Sequence, residues 1–316
     1  MGSWLCEGGV PEVVYEIISQ GAKMKKGIMK CVVVIPVYRT VPKQSEAASF
    51  MQCLQVLASY DIYVLTYREL DLSRYRQMSD ACGKSFYVMY FARDYFASVQ
   101  SYNRLMLEKS FYQSFSSYQY MLIYQLDAWL FNDELEMWCD KGYDYIGAPI
   151  FGIAGRDCKG NILYTREMTG VGNGGFSLRR IQFCLQMLNR PGWVPLVKPV
   201  YLWKSARWKY GKSGNKVVAY LKILGEFLLK LGGYRNTLDY YVASFKLNED
   251  MFFSLCATHI WLHPKVNIPT PNEAMLFSFE VNPSLLYSQT QRLPFGCHAF
   301  EKYEFDSFWS RYIQLH

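Results

Sequence analysis

The run Cys31–Val37, β-branched through Ile35 and punctuated by Pro36, constrains the fold more than any other stretch of the chain. An apolar run without polar alternation reads as a strand buried on both faces, the signature of a parallel sheet. Residues 45–59 follow with Ala48, Met51, Leu54, Val56 and Leu57 at helical spacing, and Asp61–Thr66 reads as a second strand. Strand, helix and strand in that order make a βαβ unit, so an α/β fold with an open sheet is predicted. Beyond it, 97–115 reads as helix, Tyr120–Leu126 as a third strand, Asp133–Asp140 as helix and Tyr143–Ala148 as strand.

The character changes from about 191 to 241. Trp193, Trp203 and Trp208 interleave with Lys and Arg, and Val217–Leu231 reads as a largely apolar helix with Lys222, Glu226 and Lys230 in one polar stripe. This stretch is expected to be an insertion. Asn248–His259 is predicted helical, and a Pro-punctuated tail follows. The expected organisation is an N-terminal extension, 1–27, and one domain, 28–316, carrying the insertion. At 316 residues and 51% hydrophobic, the chain is large enough for that core.

Several function classes are disfavoured. The nine Cys lack zinc-ribbon or thioredoxin spacing, so free thiols in a reducing compartment are expected. Glu12 and Glu16 interrupt the only apolar stretch near the start, so no secretory leader is expected and a cytoplasmic location is. No stretch reaches the roughly 18 apolar residues of a membrane span. A net charge of +7 is modest for nucleic acid, which is not expected as a partner.

Four motifs can carry chemistry. In Tyr124-Gln125-Leu126-Asp127-Ala128 a single carboxylate stands at the C-terminal edge of an apolar strand, where ligands of open α/β sheets bind. Asp127 either holds a hard divalent cation or caps a following helix. Gly170-Val171-Gly172-Asn173-Gly174-Gly175 lets a backbone approach a ligand closely, or makes a tight strand-to-helix corner. It lacks the Lys-Ser/Thr ending of a phosphate-binding P-loop. Asn248-Glu249-Asp250 offers general-base carboxylates, or acids favoured at a helix N-terminus. His298, after Pro294-Phe295-Gly296-Cys297, is a metal ligand or a buried structural His.

Taken in order, these motifs resemble the GT-A glycosyltransferases, and more closely a bacterial family of GT-A-like proteins. The resemblance runs from Cys31 to Trp309 with a gap across 191–241. It rests on Ile35-Pro36-Val37-Tyr38, Tyr124-Gln125-Leu126-Asp127-Ala128, Tyr145-Ile146-Gly147-Ala148-Pro149, Gly172–Arg179, Asn248-Glu249-Asp250 and Pro294–His298. It implies a GT-A-like open mixed sheet flanked by helices. It matches Asp127 to the last carboxylate of the DxD metal motif and His298 to the late His of the metal shell. Gly172–Gly175 match the glycine-rich loop beside the donor and acceptor, with Gly174 and Gly175 expected at the donor, and Glu249 and Asp250 match the xED motif, with Asp250 the expected base. Pro36, Val37, Tyr38, Arg39, Tyr102, Asn103, Arg104, Gln125 and Leu126 are expected near the donor. Gln125 departs from the family, because it stands where the first Asp of DxD belongs.

The function this implies is inverting, metal-assisted sugar transfer, with Mn²⁺ or Mg²⁺, from a nucleotide-diphosphate sugar with UDP as the expected nucleotide. The acceptor is a saccharide or lipid-linked saccharide, as in bacterial surface polysaccharide synthesis. A non-catalytic carbohydrate-binding protein of degenerate GT-A fold and a nucleotidyltransferase are the alternatives. The cations and rings of 199–231 also suit an anionic membrane surface, which would make the protein peripheral on the inner face of the plasma membrane.

Overall fold

The computed structural model describes residues 15–16, 28–189, 194–211, 214–244, 248–254, 256–260 and 266–315. Apart from Tyr15 and Glu16, the expected extension 1–27 lies outside them, as do Trp193, Lys212, His263 and His316. A short strand β1 (Tyr15–Glu16) is followed by the expected βαβ unit: β2 (Met29–Pro36), α1 (Gln44–Val56) and β3 (Asp61–Thr66). Next come α2 (Ser73–Ala81), β4 (Tyr87–Tyr90), α3 (Val99–Met106), α4 (Lys109–Gln113), β5 (Tyr118–Tyr124) and β6 (Trp129–Leu130). The single helix predicted over 97–115 is two, because Glu108 is extended at φ −82°, ψ 127° between them.

The chain continues through α5 (Leu135–Asp140), β7 (Tyr145–Ile146), β8 (Ala148–Arg156), β9 (Ile162–Gly172), β10 (Phe176–Arg180) and α6 (Ile181–Leu188). The predicted strand Tyr143–Ala148 is therefore divided at Gly147 between β7 and β8. A β-carbon on Gly147 would lie 1.8 Å from the Gly172 carbonyl oxygen, so only glycine fits where the chain leaves one sheet for the next.

Seven strands form an open mixed sheet in the order β1-β4-β3-β2-β5-β10-β7. β4, β3, β2 and β5 are parallel, and β10 runs antiparallel to both β5 and β7. Side chains alternate across the strands. Val33, Ile35, Leu122 and Tyr124 pack beneath α1 and α5, while Val32, Val34, Met121 and Ile123 pack beneath α3, α4 and α6. Burial on both faces explains why the central strands read as unbroken apolar runs.

The 191–241 stretch contributes α7 (Pro199–Tyr210) and α8 (Lys216–Leu231), followed by α9 (Leu238–Ser244). Pro199 opens α7 at its first turn, and the Asn215 side chain accepts from the Val217 and Val218 amides to cap α8. The pair closes through Trp203 edge-on to Phe227 and through Glu226, which bonds Lys209 at 2.7 Å and Lys230 at 3.0 Å. Asn236 closes the base of the stretch, accepting from the Leu196 and Val197 amides, and the Val197–Ile260 bridge with the Lys198 amide bonded to the His259 carbonyl ties it to the rest of the chain. The last elements are α10 (Glu249–Phe253), α11 (Pro271–Phe277), β11 (Ser278–Phe279), α12 (Pro283–Thr290) and β12 (Gly296–Cys297). The helix predicted over 248–259 is thus a short α10 and a separate 3₁₀ turn, Cys256–His259.

Gly147→Ala is expected to lower stability by about 1–3 kcal/mol or more, the usual magnitude for overpacking, because the obstacle is backbone that cannot swing aside. Denaturant unfolding measures it. Gly160→Ala, in an exposed turn with open space around it, is the comparison for a left-handed glycine without a clash.

Candidate functional site

A three-stranded sheet, ordered β11-β12-β6, brings distant residues together at the edge of the fold. β6 runs antiparallel to β12 with Trp129 opposite Cys297, so the register carries His298 towards Asp127. β11 runs parallel to β12 with Phe279 beside Cys297, so Glu280 follows alongside His298. The His298 ring lies between two carboxylates: Nδ1 is 3.1 Å from Glu280 Oε1, and Nε2 is 3.1 Å from Asp127 Oδ1. The Asp127 contact has the distance of an ion pair without hydrogen-bond alignment, so Nε2 is buried with no hydrogen-bond partner. Burial alone would push the imidazole pKa down. Asp127 and Glu280 outweigh it and raise it to about 10. Burial would likewise raise the Asp127 carboxyl, but the His298 charge holds it below its ordinary value.

These residues suit a divalent cation. A cation bound there would displace the Nε2 proton, and with Nδ1–H donated to Glu280 the freed Nε2 lone pair would ligate, the usual arrangement of a metal-bound His. Two ligands held at about 2.1 Å and at right angles stand about 3 Å apart, as Nε2 and Oδ1 do. Among the described residues no group of three or more His, Cys, Asp and Glu is arranged to hold a metal. Asp127 and His298 are the side chains here that could hold a cation, with Glu280 placed to orient the second. Asp127 does not cap a helix: it is followed by β6, and α5 begins only at Leu135.

The glycine loop lies against these groups and joins β9 to β10, two strands rather than a strand and a helix. A β-carbon on Gly175 would sit 2.0 Å from His298 Nε2, one on Gly174 2.5 Å from Glu249 Oε1, and one on Gly172 3.0 Å from Asp250 Oδ2. Asn173 fixes the loop's shape at φ 88°, a left-handed conformation that Asn tolerates better than most residues. Its side-chain oxygen accepts from the Gly175 and Phe176 amides, and its carbonyl accepts from the Tyr145 hydroxyl at 2.7 Å.

Glu249 and Asp250 sit in the first turn of α10, yet neither serves mainly as a cap. Glu249 Oε1 takes Arg179 Nη2 at 2.6 Å, with side chains 3% and 0% exposed. Arg179, on β10, also donates to the Tyr112 hydroxyl, Ser177 Oγ and the Gly174 carbonyl. Asp250 Oδ2 accepts from the Asn173 amide at 2.6 Å, while Oδ1 is buried without a partner. Burial, then the neighbouring Glu249 charge, raise the Asp250 carboxyl to about 6.

The remaining candidates are divided. β2 and β5 are parallel neighbours, so Pro36, Val37 and Tyr38 leave the sheet beside Gln125, Leu126 and Asp127. The Gln125 amide donates to the Gly175 carbonyl at 2.8 Å. The Tyr102 hydroxyl is buried without a hydrogen-bond partner, and Asn103 bonds Asn248 beside the carboxylates. Arg39 pairs with Glu46 and stacks on Tyr38. Arg104 is exposed at the end of α3. Among the described hydrogen bonds and ion pairs neither arginine reaches the carboxylates. Glu280, and the pairing role of Arg179, carry no sequence signal of their own, since each depends on a partner far along the chain.

Residues 85–298 match the family described as "Protein of unknown function (DUF5672)". The chain belongs to that family. The match takes in Asp127, the glycine loop, Glu249 and Asp250, and it ends on His298. No curated protein matches the chain. Among solved structures, a cytidylyltransferase from Leptospira borgpetersenii serovar Hardjo-bovis (strain JB197) is similar at 11% identity, covering 50% of this chain and 63% of that one, with a TM-score of 0.31. A 4-diphosphocytidyl-2C-methyl-D-erythritol synthase is similar at 13% identity over 51% and 79%, with a TM-score of 0.34. The core-mannan synthase A of Aspergillus fumigatus, in its Mn/GDP form, is similar at 9% identity over 73% of both chains, with a TM-score of 0.36.

Glu249→Ala is expected to destabilise the protein by about 3–5 kcal/mol, because it strands the buried Arg179 charge. Adding Arg179→Met should recover much of that loss, which chemical denaturation of both variants tests. Asp250 predicts a pH effect of definite sign. From about pH 4, the ordinary carboxylate pKa, to about 6, the unfolded chain releases this proton while the folded chain keeps it. Its contribution to stability therefore falls as pH rises through that window, and Asp250→Asn should abolish the fall in melting curves taken across it.

Proposed function

We propose that the protein is a glycosyltransferase that moves a sugar from a nucleotide-diphosphate sugar, with UDP the expected nucleotide, to a hydroxyl of a saccharide or lipid-linked saccharide. The observation that carries this reading is the packing of two unpartnered polar groups against one glycine loop. Asp127 and the unpartnered Nε2 of His298 converge 3.1 Å apart with Nε2 against Gly175, and Asp250, against Gly172, has an unpartnered Oδ1. A glycine loop shared by both suits a substrate that must touch both.

Asp127 and His298 would hold Mn²⁺ or Mg²⁺, which supplies positive charge to a departing diphosphate. Asp250 takes the proton from the acceptor hydroxyl. The acceptor oxygen then forms its bond to the anomeric carbon as the carbon–oxygen bond to phosphate breaks, and the nucleoside diphosphate leaves with that electron pair. Attack from the side opposite the leaving group inverts the anomeric centre. Asp250 is suited to this work because a base is most effective when its pKa lies near working pH. Glu249, neutralised by Arg179, holds the loop and α10 in place. Gln125 in place of a first DxD carboxylate favours one other reading, a binding protein that holds the sugar nucleotide without transfer. Release of free sugar from the donor with added Mn²⁺ separates the two, since a binding protein releases none.

Asp127→Ala is expected to remove Mn²⁺-dependent stabilisation by nucleotide sugars in a thermal-shift series, read against the variant's own unliganded melting temperature, while far-ultraviolet circular dichroism shows it folded. Undiminished stabilisation by donor would overturn the metal assignment. Asp250→Asn should keep donor binding and slow transfer by roughly 10²-fold or more. In the parent, transfer should rise with pH through about 6 as Asp250 ionises. A product of retained configuration would sink the inverting step.

A further inference from the structure

The helix α8 is built the wrong way round for a water-soluble surface. Its inward side carries Ala219 and Ile223 together with the charged Glu226 and Lys230. Its outward side is apolar: Val217 is 70% exposed, Leu221 61%, Leu228 55% and Leu229 57%. Spacings of four and seven place Val217, Leu221 and Leu228 on one stripe; Leu229, eight residues from Leu221, flanks it, and Val218 and Tyr220 border it. On α7, Trp208 stands 82% exposed between Arg207 and Lys209. Isolated exposed apolar residues need no explanation, but a continuous stripe of them marks an interaction surface.

Charge decides what covers it. Residues 199–231 hold seven Lys and Arg against one acid, Glu226, so this segment carries a net charge of +6 out of the chain's net +7. The rest of the chain is nearly neutral. Lys204, Arg207, Lys216 and Lys222 are exposed around the stripe, whereas Lys209 and Lys230 are engaged by Glu226. A second copy of the chain would set one such positive segment against another. A bilayer with anionic headgroups offers hydrocarbon to the stripe and negative charge to the cations at once. Spanning is ruled out for α8: its 16 residues extend about 24 Å, short of a hydrocarbon core of about 30 Å, and among the described residues no helix is long and apolar enough to cross a membrane.

We infer that the protein binds the surface of anionic membranes through α8, which lies in the plane of the interface with Val217, Leu221, Leu228 and Leu229 among the acyl chains and Trp208 at headgroup level. This does not rest on the transferase reading.

Flotation of the full chain with vesicles, without donor or metal, tests it, so its failure is separable from any failure of transfer. The chain should float with vesicles of phosphatidylcholine and phosphatidylglycerol, not with phosphatidylcholine alone, and binding should weaken as salt rises. Leu221→Glu/Leu228→Glu should weaken binding about tenfold or more, since each change removes a buried leucine from the lipid. Ile153→Glu/Leu163→Glu, which adds the same charge on the exposed β8–β9 hairpin, should leave it unchanged. Far-ultraviolet circular dichroism and melting curves establish that both variants are folded. No flotation at low salt overturns the inference, as does equal loss in both variants. A dimer in light scattering that Leu221→Glu/Leu228→Glu dissolves, with no vesicle binding by the parent, assigns the stripe to a second copy instead.

Discussion

A guanidinium on an inner strand of the sheet, with no access to water, must find all of its partners within the protein. Arg179 is that group. Its ion pair with Glu249 and its bonds to Tyr112, Ser177 and the Gly174 carbonyl tie β10, α4, the glycine loop and α10 into one unit. An unpaired charge there would carry the full penalty of burial, so these elements are held in a single arrangement. Tyr145 and Phe253 present ring faces to the same guanidinium. The position of Asp250 follows, because it is the next residue on a helix that Glu249 has already anchored.

Adjacent carboxylates consequently have opposite character. Glu249 is neutralised by a cation at 2.6 Å, whereas Asp250 receives one amide hydrogen bond and lies beside the Glu249 charge in a dry setting. Across the loop Asp127 is 44% exposed and faces the His298 ring, which holds its carboxyl in the ionised form. One loop thus packs against the site of a carboxylate that stays charged and against one that holds its proton towards neutrality. Sites that divide acid and base roles are built on such differences. The glycines are required by the closeness of the two sides, since a methyl group on Gly174 or Gly175 would occupy the place of Glu249 or His298 atoms.

The helical pair α7–α8 obeys a different logic. Its capping and packing are ordinary, with Asn215 at the N-terminus of α8 and Trp203 against Phe227. Its polarity is not, because Glu226 and Lys230, which help knit the pair together, face inward while Leu221 and Leu228 face out. A water-exposed helix gains nothing from that arrangement, which is why the environment of this segment and not its internal stability calls for explanation.

The sequence by itself determined the middle of the central sheet, β3, β2 and β5, but not β4 or β10 beside them. β2, β3 and β5 were legible because strands buried on both faces leave unbroken apolar runs, and α8 because a 3.6-residue period is a local property. It also placed Asp127 at the carboxyl edge of its strand. It was silent where the pattern is short or exposed: β4 has four residues, β11 and β12 two each, and the β8–β9 hairpin is largely solvated, so no alternation marks it. The break at Glu108 was hidden by helix formers on both sides. What only the tertiary structure decided is pairing. That Arg179 belongs to Glu249, 70 residues on, and that Glu280 orients His298 towards Asp127, depends on strand register and helix docking. Local periodicity reports which face of an element is apolar, but not which distant polar group will meet it there.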